Sequence, residues 1–469
     1  MKTYGFFLTT FALAFAGMQT VEGQTKPGGI DDAMLQTFRS QYQPNSTEKA
    51  LRNAISQYDL SKLAQQANAD AKADTYFSHR VQSRGITNQE SSGRCWLFTG
   101  MNVMRAKMIE RFELGSFQFS QNYTFFWDQL EKSNLFLQSI IDNADKPMDD
   151  KLVEWLFKNP LSDGGQFTGV ADLIMKYGIV PKDAMPETYS SNHTSRMADL
   201  IKQKLREFGL ELRAMSADKK QKANIGKRKT EMLSTVYHML AQCLGEPPTT
   251  FTWTRRDRSG KPVSTKEYTP KSFYQEFVGA DLENNYVMLM NDPTRPYYEL
   301  FEIDLDRHAY DGKNWTYINL PIEDIKRIAI RSIRDNTMMY FSCDVGKFLD
   351  SASGILDLKN YDYASLMGTT FGMDKKQRVQ TFASGSSHAM TLMAVDLDEA
   401  GKPNKWMVEN SWGASNGHNG HLIMTDEWFN EYMFRLVAEK KYVDSEILDI
   451  LKKKPTRLPA WDPMFAEEQ

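Results

Sequence analysis

The chain contains little cysteine, with only three thiols among 469 residues, at positions 95, 243 and 343. Three cysteines cannot form the disulfide framework that holds small secreted scaffolds together. Free cysteine is among the most buried residue types, which favours Cys243 and Cys343 as buried thiols. If Cys95 is a reactive thiol, a disulfide between the other two is the open alternative.

An excess of charge of one sign is also missing. The chain has 57 Lys and Arg against 60 Asp and Glu, a net charge of −3, so as a whole it lacks a nucleic-acid signature. The exception is the stretch 196–231, which holds eleven basic and five acidic residues. A solvated helix surface is the ordinary interpretation of such a stretch, and weak nucleic-acid binding by a basic helical face stays open.

Long apolar runs are absent except at the beginning. Residues 6–16 are almost entirely apolar and follow Lys2, and Gly23 precedes a plausible cleavage point before Gln24. This pattern predicts a signal peptide over 1–23, because the run is too short to span a membrane comfortably. An uncleaved anchor or a buried helix is the alternative. We therefore expect a secreted or periplasmic protein without a membrane span after cleavage.

The periodicity of apolar residues predicts an α+β protein. Apolar residues at helical spacing over 95–114 predict a helix with one apolar face, and further helices are expected at 120–133 and 172–177. Approximately 190–300 is expected to be a helical insertion. Five short strands are predicted at 315–318, 338–343, 388–395, 405–409 and 420–424.

Cys95 stands at the start of the first of these helices, after Gly93 and Arg94. A thiol is a weak nucleophile and its thiolate a strong one, so catalysis at neutral pH requires a lowered pKa. The helix N-terminus favours negative charge on the sulfur. His388 is the candidate base that takes the proton.

A hairpin is expected to bring Asn410 to His388. An antiparallel return centred near residue 399 would place position 410 beside position 388, where the amide oxygen accepts from one ring nitrogen. Trp412 would shield that hydrogen bond. The side chain of Gln89 and the backbone N–H of Cys95 are candidate donors to an oxyanion. Each residue alone has an ordinary structural explanation, but the set in this order indicates a cysteine peptidase.

No cofactor or metal is expected. His418 and His421 lie three residues apart in a loop rich in Gly and Asn, with no third ligand evident. A surface role is therefore favoured over a metal site.

The chain resembles the papain-like cysteine peptidases, and within them the bleomycin hydrolase and aminopeptidase C branch. The papain string Cys-Gly-Ser-Cys-Trp is not present. The segments that carry the resemblance are Gln89-Glu90-Ser91-Ser92-Gly93-Arg94-Cys95-Trp96-Leu97-Phe98, Asp163-Gly164-Gly165-Gln166, Cys343-Asp344-Val345-Gly346-Lys347, His388-Ala389-Met390, Val408-Glu409-Asn410-Ser411-Trp412-Gly413 and Leu458-Pro459-Ala460-Trp461-Asp462-Pro463-Met464.

This resemblance implies a two-lobed fold over 24–469, with a helical lobe and a β-rich lobe. The insertion at 190–300 would be a hook that builds a homohexameric ring. Residues 452–469 would form an arm that enters the active-site cleft, where the terminal carboxylate of Gln469 receives the free α-amino group of a peptide. Gly164, Gly165 and Trp412 would contact the substrate. The implied activity is that of a cysteine aminopeptidase acting through an acyl-thioenzyme on peptides with a free N-terminus.

The tail departs from the family pattern. Relatives usually continue Gly-Ala-Leu-Ala after Met464, whereas this chain ends Phe465-Ala466-Glu467-Glu468-Gln469. An endopeptidase of the same family is the alternative if this tail leaves the cleft open. A ring-shaped protein that binds peptides or nucleic acid is the alternative from another class.

Overall fold

A computed structural model describes residues 28–66 and 74–464 of the chain. The chain divides into two compact units, Met1–Leu63 and Ala64–Gln469. The predicted signal peptide over 1–23 and the terminal Gln469 both lie outside the described residues.

The described part of the first unit, residues 28–63, is largely helical. It contains α1 (Asp32–Gln41) and α2 (Ser46–Ile55), neither of which has a buried residue. Asn45 caps α2 through a capping box with Glu48, which satisfies backbone donors at the helix start. The helix α3 (Leu60–Ala64) crosses the boundary into the second unit.

The second unit holds the other helices. They are α4 (Cys95–Arg111), α5 (Gln121–Asp142), α6 (Lys151–Lys158), α7 (Phe167–Tyr177), α8 (Tyr189–Asn192), α9 (Ser195–Ala217), α10 (Ile225–Leu244), α11 (Pro270–Phe277), α12 (Ile322–Arg334), α13 (Tyr363–Met367), α14 (Lys375–Gln380), α15 (Asp426–Tyr432) and α16 (Ser445–Leu448). Short 3-10 helices lie at Lys182–Ala184, Lys222–Asn224, Lys440–Tyr442 and Asp449–Lys452. Within the described ranges, no helix combines the length and the apolar character needed to cross a bilayer.

Most strands of the second unit join one mixed sheet. The strands are β1 (His79–Arg80), β2 (Phe251–Arg256), β3 (Pro262–Tyr268), β4 (Tyr286–Met290), β5 (Glu299–Ile303), β6 (Thr316–Asn319), β7 (Met339–Cys343), β8 (Leu349–Asp350), β9 (Ile355–Leu356), β10 (His388–Leu397), β11 (Pro403–Glu409), β12 (His421–Thr425), β13 (Met433–Glu439) and β14 (Thr456–Leu458). The order across the large sheet is β14-β5-β6-β4-β13-β7-β10-β11-β12-β9-β8, with β1 also paired to β10. The strands β2 and β3 form a separate hairpin.

Two apolar cores lie in this unit, and α4 contributes to both. Met101 and Met104 belong to the core shared with the other helices, while Val103 belongs to the core of the sheet. The predicted apolar face, from Leu97 to Phe112, packs in the helical core as expected, but the opposite face of α4 is buried in the core of the sheet as well. Polar residues such as Asn102 and Arg105, which periodicity assigns to solvent, are buried as well, because the helix is covered on both sides.

The expected helical insertion at 190–300 is only partly helical. The helices α9 and α10 fill its first half and bury apolar residues in the helical core. Residues 251–268 instead form the hairpin of β2 and β3, closed by Gly260 at φ +82° and by Asp257, whose side chain accepts from the N–H of Lys261. The alternation of Phe251 and Trp253 with threonines is the strand signal in this stretch of the sequence.

All five predicted strands are present as β6, β7, β10, β11 and β12, with ends that differ by at most two residues. The predicted helix at 172–177 lies within the longer α7, and the one at 120–133 corresponds to α5, which begins one residue later and extends further. Ser120 caps α5 by accepting from the N–H of Tyr123, and Gly178 ends α7 at φ +77°. All three cysteines are described, and they are thiols rather than disulfides.

Candidate active site

Cys95 is the first residue of α4 and is fully buried. Its sulfur accepts a hydrogen bond from the backbone N–H of Ala389, with 3.4 Å between nitrogen and sulfur. Ala389 follows His388, the first residue of β10. Residues that are 294 positions apart in sequence thus meet where a helix N-terminus faces the start of a central strand. A helix N-terminus and a backbone N–H both favour negative charge on sulfur.

The imidazole of His388 is held from two directions. Its Nε2 lies 2.9 Å from the amide oxygen of Asn410, which also accepts from the N–H of Ser411 at 2.8 Å. The ring of Trp412 lies over the imidazole, with 4.8 Å between ring centroids. Because Asn410 occupies Nε2, the ring nitrogen left for the thiol is Nδ1.

The register of the hairpin differs from the prediction. Thr391 pairs with Glu409, and continuing this register places position 410 opposite 390 rather than 388. The turn centres one residue later than expected, because Asp398 closes it by accepting from the N–H of Lys402 at 2.8 Å. Side chains alternate with a period of two, so an offset of two keeps Asn410 on the face of His388 as a diagonal neighbour.

The segment before Cys95 is tied to the segment after Asn410. The N–H of Gln89 donates to the carbonyl of Ser411 at 2.8 Å, and the N–H of Gly413 donates to the carbonyl of Thr87 at 3.1 Å. The side-chain amide of Gln89 donates to the carbonyl of Ser92 at 2.7 Å, across the turn that leads to Cys95. One amide hydrogen of Gln89 is therefore used, and its role as an oxyanion donor stays a prediction that depends on the second.

A buried cation stands immediately before Cys95 in the chain. Arg94 has 0% exposure, donates to Glu187 at 2.8 Å and to the hydroxyl of Ser92 at 2.9 Å, and lies over the rings of Phe98 and Phe125. Burial lowers the pKa of Arg94, and the charge of Glu187 opposes that shift. The guanidinium stays charged at any ordinary pH, so it fixes the helix start by electrostatics as well as by packing.

A second buried ion pair joins α4 to the end of β11. Arg105 donates to Glu409 at 2.6 Å, and its side chain is 3% exposed while that of Glu409 is 0% exposed. Burial raises the pKa of Glu409, and the charge of Arg105 opposes the rise. Since Glu409 directly precedes Asn410, this pair fixes the distance between the helix that carries the thiol and the strand that carries the amide.

Gly164 and Gly165, predicted to bind substrate, sit on a buried charged cluster. The carbonyl of Gly164 accepts from the ammonium of Lys132 at 2.5 Å, and a Cβ on Gly165 would lie 2.2 Å from the ring of His308. His308 contacts Asp128 at 2.5 Å between Nδ1 and Oδ1. Burial lowers the pKa of His308. Burial alone would raise the pKa of Asp128, but Lys132 and His308 outweigh it and the pKa falls.

Sequence reasoning missed this charged support for the loop at 162–165. Asp128 and Lys132 are four residues apart on α5, where they read as an ordinary surface ion pair. His308 comes from a distant loop, and it also packs edge-on against Trp96, with ring centroids 4.6 Å apart. The available signal was the pair of close glycines, Gly165 and Gly169, which leave room for this ring.

His418 and His421 face each other across a tight turn. The N–H of His418 donates to the carbonyl of His421 at 2.9 Å, and Nδ1 of His421 lies 3.1 Å from the carbonyl of Asn419. Among the residues that the structure describes, no three His, Cys, Asp or Glu side chains are grouped as metal ligands would be.

The described part of the predicted C-terminal arm runs beside a cavity. After β14 pairs with β5, residues 460–463 line a cavity of about 800 Å³ that Asp163 and Phe382 also line. The carbonyl of Met464 then accepts from the guanidinium of Arg435 at 2.8 Å. Gln469, the predicted receptor of the substrate amine, lies beyond the described residues.

Comparison with known proteins places the chain among cysteine peptidases. The model of the Peptidase C1-like family matches residues 29–465. Bleomycin hydrolase of Rattus norvegicus is 39% identical over 88% of this chain and 94% of its own length. Aminopeptidase C of Lactobacillus delbrueckii subsp. lactis is 37% identical over 92% of this chain and 97% of its own. The crystal structure of PepW from Lactobacillus rhamnosis HN001 has a TM-score of 0.90 at 37% identity, covering 94% of this chain and 99% of that one.

Proposed function

We propose that this chain, which belongs to the Peptidase C1-like family, uses Cys95, His388 and Asn410 to remove N-terminal residues from peptides. It is a cysteine-type aminopeptidase with the two-lobed papain-like fold, similar over most of its length to bleomycin hydrolase and aminopeptidase C. The observation that carries the residue assignment is the 3.4 Å contact between the sulfur of Cys95 and the N–H of Ala389, next to a histidine that Asn410 holds.

The reaction follows from this arrangement. Nδ1 of His388 accepts the thiol proton, and the thiolate of Cys95 attacks the carbonyl carbon of the first peptide bond. The C–S bond forms, the C–N bond breaks, and the imidazolium returns its proton to the leaving amine. Water then gives a proton to His388 and attacks the thioester, so the C–O bond forms, the C–S bond breaks and the amino acid leaves.

Four groups support these steps. Asn410 orients the imidazole by accepting at Nε2, and Trp412 covers that hydrogen bond. The N–H of Cys95 and the free amide hydrogen of Gln89 are the donors proposed for the oxyanion. Removing one such donor costs about 2.7–4 kcal/mol of transition-state stabilisation in comparable enzymes.

The first test compares the wild type with Cys95→Ser on alanine anilide and on its N-acetyl derivative. We expect release of aniline from the free-amine substrate by the wild type and none by the variant. Full activity in Cys95→Ser would contradict the assignment of the nucleophile. Rapid hydrolysis of the acetylated substrate would instead identify an endopeptidase of the same family.

We also propose that the chain is exported and that it assembles into a ring of six copies. The basic and apolar pattern of residues 1–23 supports cleavage before Gln24, and the family resemblance supports a homohexamer with α9 and α10 in the hook. N-terminal sequencing of exported protein should begin at Gln24. Light scattering on residues 24–469 should give six times the chain mass, and a monomer would refute the ring.

A further inference from the structure

The side chain of Asn410 is oriented by its neighbour Ser411 rather than by the sheet. The strand β11 ends at Glu409, so its pairing with β12 stops before Asn410, although the N–H of Asn410 still donates to the carbonyl of Gly420 at 3.0 Å. The N–H of Ser411 donates to the amide oxygen of Asn410 at 2.8 Å, and Nε2 of His388 lies 2.9 Å from the same oxygen. The conformation of Ser411 therefore decides whether that oxygen stays directed at the imidazole.

Buried hydrogen bonds connect Ser411 to the helix α4. The side-chain amide of Asn102 donates to the hydroxyl of Thr87 at 3.0 Å, and that hydroxyl donates to the hydroxyl of Ser411 at 3.1 Å. Each of these three residues is 1% exposed, so bulk water does not compete for the two bonds. We call Asn102, Thr87 and Ser411 the hydrogen-bond relay.

The helix α4 also holds the residue on the other side of Asn410. Arg105 is paired with Glu409 at 2.6 Å, and Asn102 precedes Arg105 by three residues, so the two side chains leave the same face of the helix. Cys95 is the first residue of this helix. One element therefore carries the thiol and is attached to the chain both before and after the amide that orients the imidazole.

Stability does not explain an asparagine at this place in α4. Among the described residues, none donates a hydrogen bond to the amide oxygen of Asn102, which is enclosed in the core. A buried amide that is bonded on one side only costs free energy relative to an apolar side chain of similar volume, such as leucine. The hydrogen bond that this side chain does make is the one to Thr87, which points to the hydrogen-bond relay as its role.

We propose that Asn102 and Thr87 are positioning residues for the reaction at Cys95. Through Ser411 they keep the amide oxygen of Asn410 directed at Nε2 of the catalytic histidine. When that acceptor turns away, the imidazole loses the bond that fixes its orientation towards the thiol, and proton transfer slows while the binding of substrate is unaffected. The proposal rests on the proposed function, because it presumes a thiol that is activated by an oriented imidazole.

The experiment breaks the hydrogen-bond relay at two points in the full chain. Asn102→Leu removes the first donor at nearly constant volume, and Thr87→Val replaces a hydroxyl with a methyl group. Thr87→Ser keeps the hydroxyl and is the conservative variant. Thr99→Val is the matched control, because Thr99 is also a threonine of 1% exposure, lies on α4 and has a hydroxyl that bonds to none of the described residues.

The values of kcat and KM are measured on whichever of alanyl anilide and N-acetylalanyl anilide the wild type hydrolyses faster. Urea titration gives the folded fraction of each variant, so that kcat is expressed per folded chain. We expect Asn102→Leu and Thr87→Val each to lower kcat about tenfold, the effect of about one hydrogen bond on a barrier, with KM within about twofold of the wild type. The double variant should be no slower than the slower single variant, because both substitutions break the same relay.

Thr87→Ser and Thr99→Val should keep the kcat of the wild type, and Asn102→Leu should keep its free energy of unfolding. Wild-type kcat in both Asn102→Leu and Thr87→Val would overturn the proposal, as would an equal loss in Thr99→Val or additive losses in the double variant. If Thr87→Val does not fold, Asn102→Leu decides. Failure of the proposed function is distinct, because the wild type would then hydrolyse neither anilide, or Cys95→Ser would hydrolyse one as well.

Discussion

The two sides of the candidate site are held by different forces. On the helical side, the start of α4 and the loop at 162–165 rest on buried charges, chiefly Arg94 with Glu187 and Asp128 with Lys132 and His308. On the sheet side, β10 is paired with β7 over His388–Leu392 and with β11 over Thr391–Leu397. A strand that is bonded on both edges is positioned by its backbone, whereas a charged cluster is positioned by side chains that a single substitution can remove.

This difference indicates where the geometry is vulnerable. Several backbone hydrogen bonds between β10 and β7 together hold the backbone of His388 in place, so no single side chain determines where that backbone lies. Removing one partner of a buried ion pair lowers the free energy of unfolding by about 3–5 kcal/mol, because the other charge stays buried without compensation. Substitutions on the helical side, and at the pair that joins the two sides, should therefore disturb the site most.

The largest effect is expected at the ion pair of Arg105 and Glu409, which joins the two sides of the site. Glu409→Gln leaves the guanidinium of Arg105 buried without a counter-charge, and breaking such a pair costs about 3–5 kcal/mol. We expect a loss of that size in the free energy of unfolding from urea titration. Hydrolysis of alanyl anilide should also fall, since Asn410 follows directly in the chain.

The control is an ion pair of the same type on the surface. Glu154 and Lys158 lie four residues apart on α6 with side chains 47% and 73% exposed. Glu154→Gln should change the free energy of unfolding by less than about 0.5 kcal/mol. If Glu409→Gln and Glu154→Gln lower the free energy of unfolding equally, burial does not make the ion pair of Arg105 and Glu409 more sensitive to substitution than an exposed pair.

The elements around the site were largely predictable, and their exact pairing was not. The start of α4 at Cys95 and of β10 at His388 follow from periodicity and turn residues. The predicted register of β10 with β11 was wrong by two residues. The side chain of Asp398 determines where the turn lies, and counting alternating apolar and polar residues gives no information about that contact. Asn410 still lies on the same face of the sheet as His388, as predicted. Side chains alternate between the two faces with a period of two, so an error of two residues in the register does not change the face.

The crowding of the helical side gives the second prediction. A Cβ on Gly165 would lie 2.2 Å from His308, which is buried and bonded to Asp128. Gly165→Ala should therefore cost about 1–3 kcal/mol or more of unfolding free energy, as overpacked cores do. Gly346, on the sheet side, has no atom within 4 Å of the corresponding position. Gly346→Ala should be close to neutral, and equal losses in the two variants would contradict the comparison.

The charged cluster could not be predicted because its members come from separate segments. Asp128 and Lys132 lie on α5, whereas His308 follows β5 in the chain. No local pattern distinguishes a buried lysine from an exposed one when its neighbours on the helix are mixed. Its burial is decided by tertiary packing against Gly164 and Trp96, which sequence spacing does not specify.

The smallest effect concerns a buried cation on the sheet side that lacks a hydrogen-bonded carboxylate. The ammonium of Lys375 donates to the side-chain oxygen of Asn291 and to the carbonyls of Met433 and Asn430, at 2.6, 2.6 and 3.1 Å. Burial lowers the pKa of Lys375 to about 7. Between that value and the ordinary lysine pKa, the unfolded chain binds a proton that the folded chain releases.

Stability must therefore rise with pH above about 7 and fall as the pH drops through the folded pKa. The expected gain between pH 7 and 8 is about 1 kcal/mol, because one pKa unit corresponds to about 1.4 kcal/mol and the folded state is still partly protonated at pH 7. Urea titrations at both pH values measure it. Lys375→Met should abolish the gain, while Lys158→Met, at a side chain 73% exposed, should keep it. If the free energy of unfolding changes with pH in the same way for the wild type and Lys375→Met, the three acceptors keep Lys375 protonated like an exposed lysine. The sheet side would then tolerate a buried charge as well as the helical side does.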